Sequence, residues 1–356
     1  MSNIRIELTA NPKQKPQGPL HFGRYFTDHM FLMNYDKGEG WHDARIVPYG
    51  PFPLDPAAMC LHYGQEVFEG MKAYLTPDGT IQLFRPDENF KRLNCSNERI
   101  CIPQVDEELC LEGLKKLIEI DKDWMPTEKE TSLYIRPFII ATDAHLGVSP
   151  GEHYLFAVIV SPVAAYYETG LDPVKIYVEK SYTRAVKGGT GMAKTGGNYA
   201  ASLIAQVEAY EEGFSQALWL DGVEKKYVEE VGTMNVFFVV DDEVITPALN
   251  GSILSGITRK SSIDILKSWG VKVTERRIAI DEIVEFHKQG RLKEMFGTGT
   301  AAVISPVGML RYDGHDMPIG DGTTGALTQK LYDALTGIQW GTAEDTFGWT
   351  VPCCKL

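Results

Sequence analysis

No stretch of this 356-residue sequence comes near eighteen consecutive apolar residues, so a membrane-spanning helix is not expected. Positive charge is in short supply: 35 Lys and Arg stand against 48 Asp and Glu, a formal net charge of −13. A chain of that sign repels nucleic-acid phosphates, which argues against such a partner but leaves room for small anions at local basic pockets. Cysteine is sparse. The six are Cys60, Cys95, Cys101, Cys110, Cys353 and Cys354; none forms a CxxC pair, and their spacing fits no zinc site. Adjacent Cys353 and Cys354 are expected to be reduced thiols. The eight histidines include no HExxH or other ligand spacing, so metal catalysis is not expected. The opening residues, MSNIRIELTANPKQKP, lack a signal peptide's apolar core and a transit peptide's arginine pattern, which makes a cytoplasmic location the expectation. Internal repeats and low-complexity segments are absent as well.

What remains is ordinary soluble-protein composition, 44% hydrophobic and 23% charged, on a chain long enough for two domains. Alternation predicts a strand over 26–35, and 68–75 with 81–84 flank TPDGT, a hairpin turn. Residues 86–99 are charged and helix-compatible, and 107–124 carry Leu109, Leu111, Leu114, Leu117 and Ile118 at helical spacing. Segments 132–141 and 154–163 read as strands. The pattern lapses in AAYYETGLDP, the best linker, and resumes with a strand at Val174. A helix over 198–213 with Leu203, Val207 and Tyr210 on one side, a strand at 217–220, a hairpin across Asp241-Asp242-Glu243, a helix at 258–269 closed by Gly270, and a buried strand at 301–307 complete an α/β (α+β mixed) pattern.

The most informative segment is GGTGMAKTGGNYAAS, 188–202, where Lys194 sits among glycines and small residues and Tyr199 follows five positions later. Little bulk surrounds that amine, so another molecule can approach it closely. One reading is a P-loop, G-x-x-x-x-G-K-[ST], with Ala193 in place of the second glycine; yet no buried strand leads into it, and Gly196-Gly197 would break the helix that must follow. The other is a lysine that condenses with an aldehyde cofactor. Pyridoxal phosphate would need an acid at its ring nitrogen and a cup of amides for its phosphate. Candidates exist: Glu229-Glu230 before VGTMNVFFV, the amides of Ile257 and Thr258 after Gly256, and the GTGTAA turn at 297–302. In a strand only one of the two glutamates can point into a site, and a solvated surface acid is the plainer expectation for either.

These blocks, with FGRYFTDHM at 22–30, VFEGMKAY at 67–74, LFRPDENFKRL at 83–93, LYIRPFI at 133–139 and LNGSILSGITRKS at 249–261, resemble branched-chain amino acid aminotransferases, class IV pyridoxal phosphate enzymes of fold type IV. The resemblance covers nearly the whole chain and implies reversible transfer of the amino group of Leu, Ile or Val to 2-oxoglutarate. It implies a small N-terminal α/β domain over 1–163, a linker over 164–175 and a large C-terminal domain over 176–356, with the cofactor at the interface. By position, Lys194 is the Schiff-base lysine and the catalytic residue. Glu230 takes the ring nitrogen, Tyr199 the phenolate oxygen, and Arg92, Ile257, Thr258 and Thr300 the phosphate; Thr233 also lies at the cofactor. Phe22, Phe68, Tyr166 and Met234 match an apolar substrate box, with Tyr63 entering from a partner subunit. The Thr300-Ala301 amides and Tyr134 would hold the α-carboxylate, and Arg136 the distal carboxylate of glutamate. A homodimer is implied, with Leu146 and Val148 on the crossing loop. D-amino acid transaminase and aminodeoxychorismate lyase share the lysine and glutamate but not the VFEGMKAY and LYIRP blocks. Two departures stand out. Ala302 and Ser305 replace the CxxC pair of the animal enzymes, so no thiol switch is expected there, and Ser255 replaces a proline before Gly256.

Overall fold

The computed structural model describes residues 4–164 and 171–356, which form two compact units. The first is built on strands β1 (Arg5–Ile6), β2 (His29–Asp36), β3 (Gly40–Pro48), β4 (Glu66–Phe68), β5 (Met71–Leu75), β6 (Thr80–Phe84), β7 (Ser132–Ala141) and β8 (His153–Val163). They run in the order β1-β3-β2-β8-β7-β5-β6, with β4 also on β7. The TPDGT turn closes the β5–β6 hairpin, with Leu75 opposite Ile81. Helices α1 (Met59–Tyr63), α2 (Pro86–Arg99) and α3 (Glu107–Ile120) complete the unit. Asp106 caps α3 by accepting from the Glu108 and Leu109 amides at 2.9 and 3.1 Å. Leu114, Leu117 and Ile118 of α3 and Phe90 and Leu93 of α2 share one buried cluster with Phe31, Leu83, Ile135 and Phe156 of the sheet. Each such side chain contributes about 1.5–3 kcal/mol through burial.

The second unit carries β9 (Val174–Glu179), β10 (Gln216–Leu220), β11 (Val228–Val231), β12 (Met234–Val240), β13 (Glu243–Thr246), β14 (Lys272–Glu275), β15 (Leu292–Gly299), β16 (Val303–Tyr312) and β17 (His315–Pro318). Their order is β11-β10-β9-β16-β15-β12-β13-β14, and a further β11–β12 pairing closes six strands into a ring. β12 is buried along its whole length, which explains the unbroken MNVFFVV run, and Phe237 stacks on Phe296 of β15 at 5.1 Å. The helices are α4 (Gly196–Ala200), α5 (Leu203–Glu211), α6 (Ile257–Ser268), α7 (Ile280–Lys288) and α8 (Ala326–Gln339). The single helix expected over 198–213 is two short ones. On α5 it is Ala205 and Ala209 that are buried, while Leu203, Ile204, Val207 and Tyr210 are exposed.

Residues 193–196 and 337–356 belong to the first unit. The sequence expectation put both segments in the C-terminal domain. The tail is drawn into the first sheet because β18 (Thr350–Lys355) pairs antiparallel with β6, and Cys353 and Cys354 are free thiols on that strand. The expected linker at 164–175 lies partly outside the described residues; its far end, Val174, opens β9. Among the described residues no helix is long and apolar enough to cross a membrane.

Candidate active site

Lys194 belongs to the first unit, and its backbone is fixed on both sides. Its amide donates to Ser96 Oγ at 2.9 Å, and its carbonyl accepts from the Phe68 amide at 2.9 Å. The next residue repeats the pattern: Thr195 Oγ1 donates to the Glu66 carbonyl at 2.7 Å, and the Glu66 carboxylate accepts the Gly196 amide. Burial pushes the Glu66 carboxyl above its ordinary range. The Lys194 Nζ lies 4.8 Å from the centre of the Phe68 ring.

Helix α2 supplies further groups of the same unit. Asn89, Arg92 and Ser96 fall at i, i+3 and i+7 and so share one face. Ser96 holds Lys194, whereas Asn89 and Arg92 both reach Glu69, whose side chain is fully buried. Arg92 meets Glu69 through Nε and Nη2, each at 2.8 Å, and Asn89 donates to Glu69 Oε2 at 2.7 Å. Burial alone would raise the Glu69 carboxyl, but the charge and hydrogen bonds of Arg92, the charge of Lys194 and the Asn89 amide outweigh it and hold it below the usual range. Arg92, which reads on sequence alone as a surface helix charge, has only 10% of its side chain exposed.

Around the lysine the structure gathers Phe22, Phe68, Tyr134 and Arg136. Phe22 meets the Tyr134 ring edge-on at 4.7 Å. A Cβ on Gly70 would lie 2.3 Å from the Tyr134 hydroxyl, so a side chain there would force the ring to shift. Arg136 donates from Nη2 to that hydroxyl at 3.0 Å and stacks over the Phe68 ring at 4.7 Å. Its buried Nε has no hydrogen-bond partner among the described residues, a donor ready for an anion. Tyr63, half exposed at the end of α1, donates to the Leu146 carbonyl at 2.5 Å; Leu146 and Val148 are exposed beside it.

The second unit carries the remaining candidates. Glu229 and Glu230 of β11 are both buried, not solvated as surface acids would be. Glu229 is committed to Ser252, whereas Glu230 accepts the Leu254 amide on Oε1 at 2.8 Å and has Arg184 Nε 3.2 Å from Oε2. Asn235, opposite Glu230 in the ladder, donates to the Leu254 carbonyl at 2.9 Å, and a Cβ on Gly256 would fall 2.0 Å from its Oδ1. That contact seats the start of α6, where Ile257 and Thr258 open a helix with no acidic residue in its first turn. Such a terminus favours a dianion. Met234 packs on Gly297 and Gly299 of β15, whose turn carries Thr300 and Ala301, half-buried; Val303 leaves that turn at φ +61°, a strained value for a β-branched residue. Thr233 is exposed and Tyr199, on α4, is half-buried. Ala302 lies in the same turn and Ser305 is buried on β16. Tyr166 lies outside the described residues.

Glu66, Glu69, Asn89, Ser96, Arg184 and Asn235 were not singled out from the sequence. Only the Asn89-Arg92-Ser96 spacing offered a signal in advance. Each unit, by itself, holds groups that suit pyridoxal phosphate: an amine set in small residues and an arginine in the first, a buried paired carboxylate for a pyridinium nitrogen and a helix start for a phosphate in the second.

Residues 66–309 match the family described as amino-transferase class IV, and the chain belongs to that family. Within it, the similar proteins share one substrate group in their names. The chain is 60% identical to branched-chain-amino-acid aminotransferase 2 of Bacillus subtilis (strain 168), over 99% of this chain and 98% of that one. The solved branched-chain amino acid aminotransferase of Escherichia coli superposes with a TM-score of 0.73 at 29% identity, over 91% of this chain and 98% of that one. A T.th branched-chain amino acid aminotransferase solved with pyridoxamine 5'-phosphate gives 0.73 at 30%, over 90% and 97%.

Proposed function

We propose that this chain is a branched-chain amino acid aminotransferase, which moves the amino group of Leu, Ile or Val reversibly to 2-oxoglutarate with pyridoxal phosphate as cofactor. Full-length identity to proteins of that name supports the activity, and solved relatives hold pyridoxamine phosphate or a phosphopyridoxyl-glutamate conjugate. The observation that carries it is the set around Lys194: one amine among Phe22, Phe68 and Tyr134, with the Arg136 guanidinium over the same Phe68 ring that the amine overlies. Apolar rings suit a branched side chain, at about 0.8 kcal/mol for each buried methylene. A guanidinium beside them suits the one substrate that carries a second carboxylate.

When bound, pyridoxal phosphate supplies an aldehyde for amines and a pyridinium that spreads the electron pair left at the substrate α-carbon. The chain does the rest. Lys194 Nζ would carry the proton from the substrate α-carbon to the carbon that bears the cofactor's aldehyde, and back in the reverse half-reaction. Glu230, with Arg184 Nε 3.2 Å from its Oε2, would accept from the cofactor's ring nitrogen, and Tyr199 would donate to its phenolate oxygen. By position, Arg92, the Ile257 and Thr258 amides and Thr300 would hold the phosphate, with Thr233 also at the cofactor. Tyr134 and the Thr300-Ala301 amides orient the α-carboxylate, and Met234 closes the apolar wall, with Tyr166 assigned there by position.

A homodimer in the cytoplasm completes the proposal. Leu146, Val148 and Tyr63 form an exposed group of the kind a second copy would cover, with Tyr63 then entering the partner's pocket. The test is the visible spectrum of the purified protein. An absorbing band that bleaches with leucine and returns with 2-oxoglutarate is expected. A band that ignores leucine but answers D-alanine would retire the substrate assignment, and no band after incubation with pyridoxal phosphate would retire the cofactor.

A further inference from the structure

Glu69 has no part in the roles above, yet it is the most completely enclosed charge beside Lys194. Its side chain is 0% exposed, and its two oxygens take Arg92 Nε and Nη2 at 2.8 Å each, with Asn89 on Oε2 at 2.7 Å and the Gly70 amide on the same oxygen at 3.2 Å. The Glu69 amide is itself tied to the Pro137 carbonyl of β7 at 2.7 Å, so the carboxylate hangs from the sheet and not from a free loop. Arg92 stands on α2 one turn from Asn89, so sheet and helix meet through this carboxylate.

A guanidinium gripped along its Nε–Nη2 edge by a carboxylate fork has its plane fixed. The Nη1 edge then points one way only. A buried ion pair is weak evidence for stability, because apolar residues of equal volume often serve as well. Orientation is what an apolar pair could not supply.

We infer that Glu69 is a positioning residue: it aims the Arg92 guanidinium so that the edge not taken by the carboxylate receives the cofactor phosphate. The inference rests on the reading that Arg92 binds that phosphate. It carries a sign that simple charge would not. Removing a carboxylate beside an anion site should tighten the anion if electrostatics alone mattered, whereas loss of aim loosens it.

The experiment titrates the full-length chain, freed of cofactor, with pyridoxal phosphate and separately with pyridoxal, which has no phosphate. In Glu69→Gln, pyridoxal phosphate is expected to bind about tenfold more weakly, the scale of one charge-assisted hydrogen bond, while pyridoxal stays within about twofold. Glu69→Asp keeps the charge and should recover part of the loss. An equal loss for both ligands means a merely structural role and overturns the proposal, as does tighter binding of pyridoxal phosphate. Asn89→Ala loosens the same carboxylate without leaving Arg92 opposite a neutral partner. It carries the same two-ligand comparison, with a smaller expected loss, should Glu69→Gln not fold. A wild-type chain that binds pyridoxal as well as it binds pyridoxal phosphate would instead refute the phosphate role of Arg92 itself.

Discussion

At the scale of single residues, the chemistry divides between groups that the surroundings commit and groups that they leave ready. Arg136 is of the second kind. One nitrogen is spent on the Tyr134 hydroxyl, the plane lies on Phe68, and the buried Nε has no protein partner among the described residues. A buried donor without a partner costs about 1–3 kcal/mol, which a bound carboxylate would offset. Leucine carries no second carboxylate. Arg136→Met should therefore raise KM for 2-oxoglutarate about tenfold or more, with the leucine half-reaction within about threefold of wild type. Single-turnover kinetics of each half-reaction separates the two. Equal loss in both would mean that Arg136 serves the pocket as a whole.

Elements position these groups through contacts that run between distant parts of the sequence. The start of α6 is seated by Asn235 of β12, against which Gly256 packs with no space for a side chain. Gly256→Ala should push the first turn of α6 off Asn235 and weaken pyridoxal phosphate binding about tenfold, read by titration of the cofactor-free protein; unchanged affinity would remove this helix start from the phosphate site. Such contacts also mark where sequence reading stopped. The β5–β6 hairpin, α2 and β7 were legible because turn chemistry and periodicity act locally, and the expected range of α2, 86–99, is the observed one. Lys194 was legible because small residues around one lysine are rare. Glu69 was not, since an acid inside VFEG looks the same whether it meets water or Arg92. The apolar residues of α5 misled in the other direction: Leu203, Val207 and Tyr210 do share a side, but the buried one is made by two alanines.

For the molecule as a whole, that exposed stripe is a reason to expect a second copy. Leu203, Ile204, Val207 and Tyr210 are 63, 48, 51 and 65% exposed, too apolar a helix face to suit water. If it lies in the dimer contact, Val207→Glu should shift the protein toward monomers by sedimentation and lower activity; a wholly dimeric, active variant would place the contact elsewhere.

A second property of the whole chain is its stability against pH, to which Lys72 makes a contribution with a single clear cause. It lies on β5 beside Tyr134 of β7, 5% exposed, and burial lowers its amine from 10.5 to about 8. The lowered value fixes the sign. Between about pH 8 and 10.5 the unfolded chain holds a proton on this lysine that the folded chain has lost, so raising pH favours folding. The contribution is full above the unfolded value and is lost as pH falls through about 8. Its size is on the order of 3 kcal/mol at neutral pH, the cost of keeping the amine charged in the core. Lys72→Met keeps the volume and removes the titration. Any hydrogen bond lost with the amine shifts the variant by a constant, so the informative quantity is the slope. Unfolding free energy by urea at several pH values should show the variant gaining on wild type as pH falls from 10.5 toward 8, then holding a fixed offset below. Parallel curves across that range would mean that Lys72 keeps its proton in the folded protein.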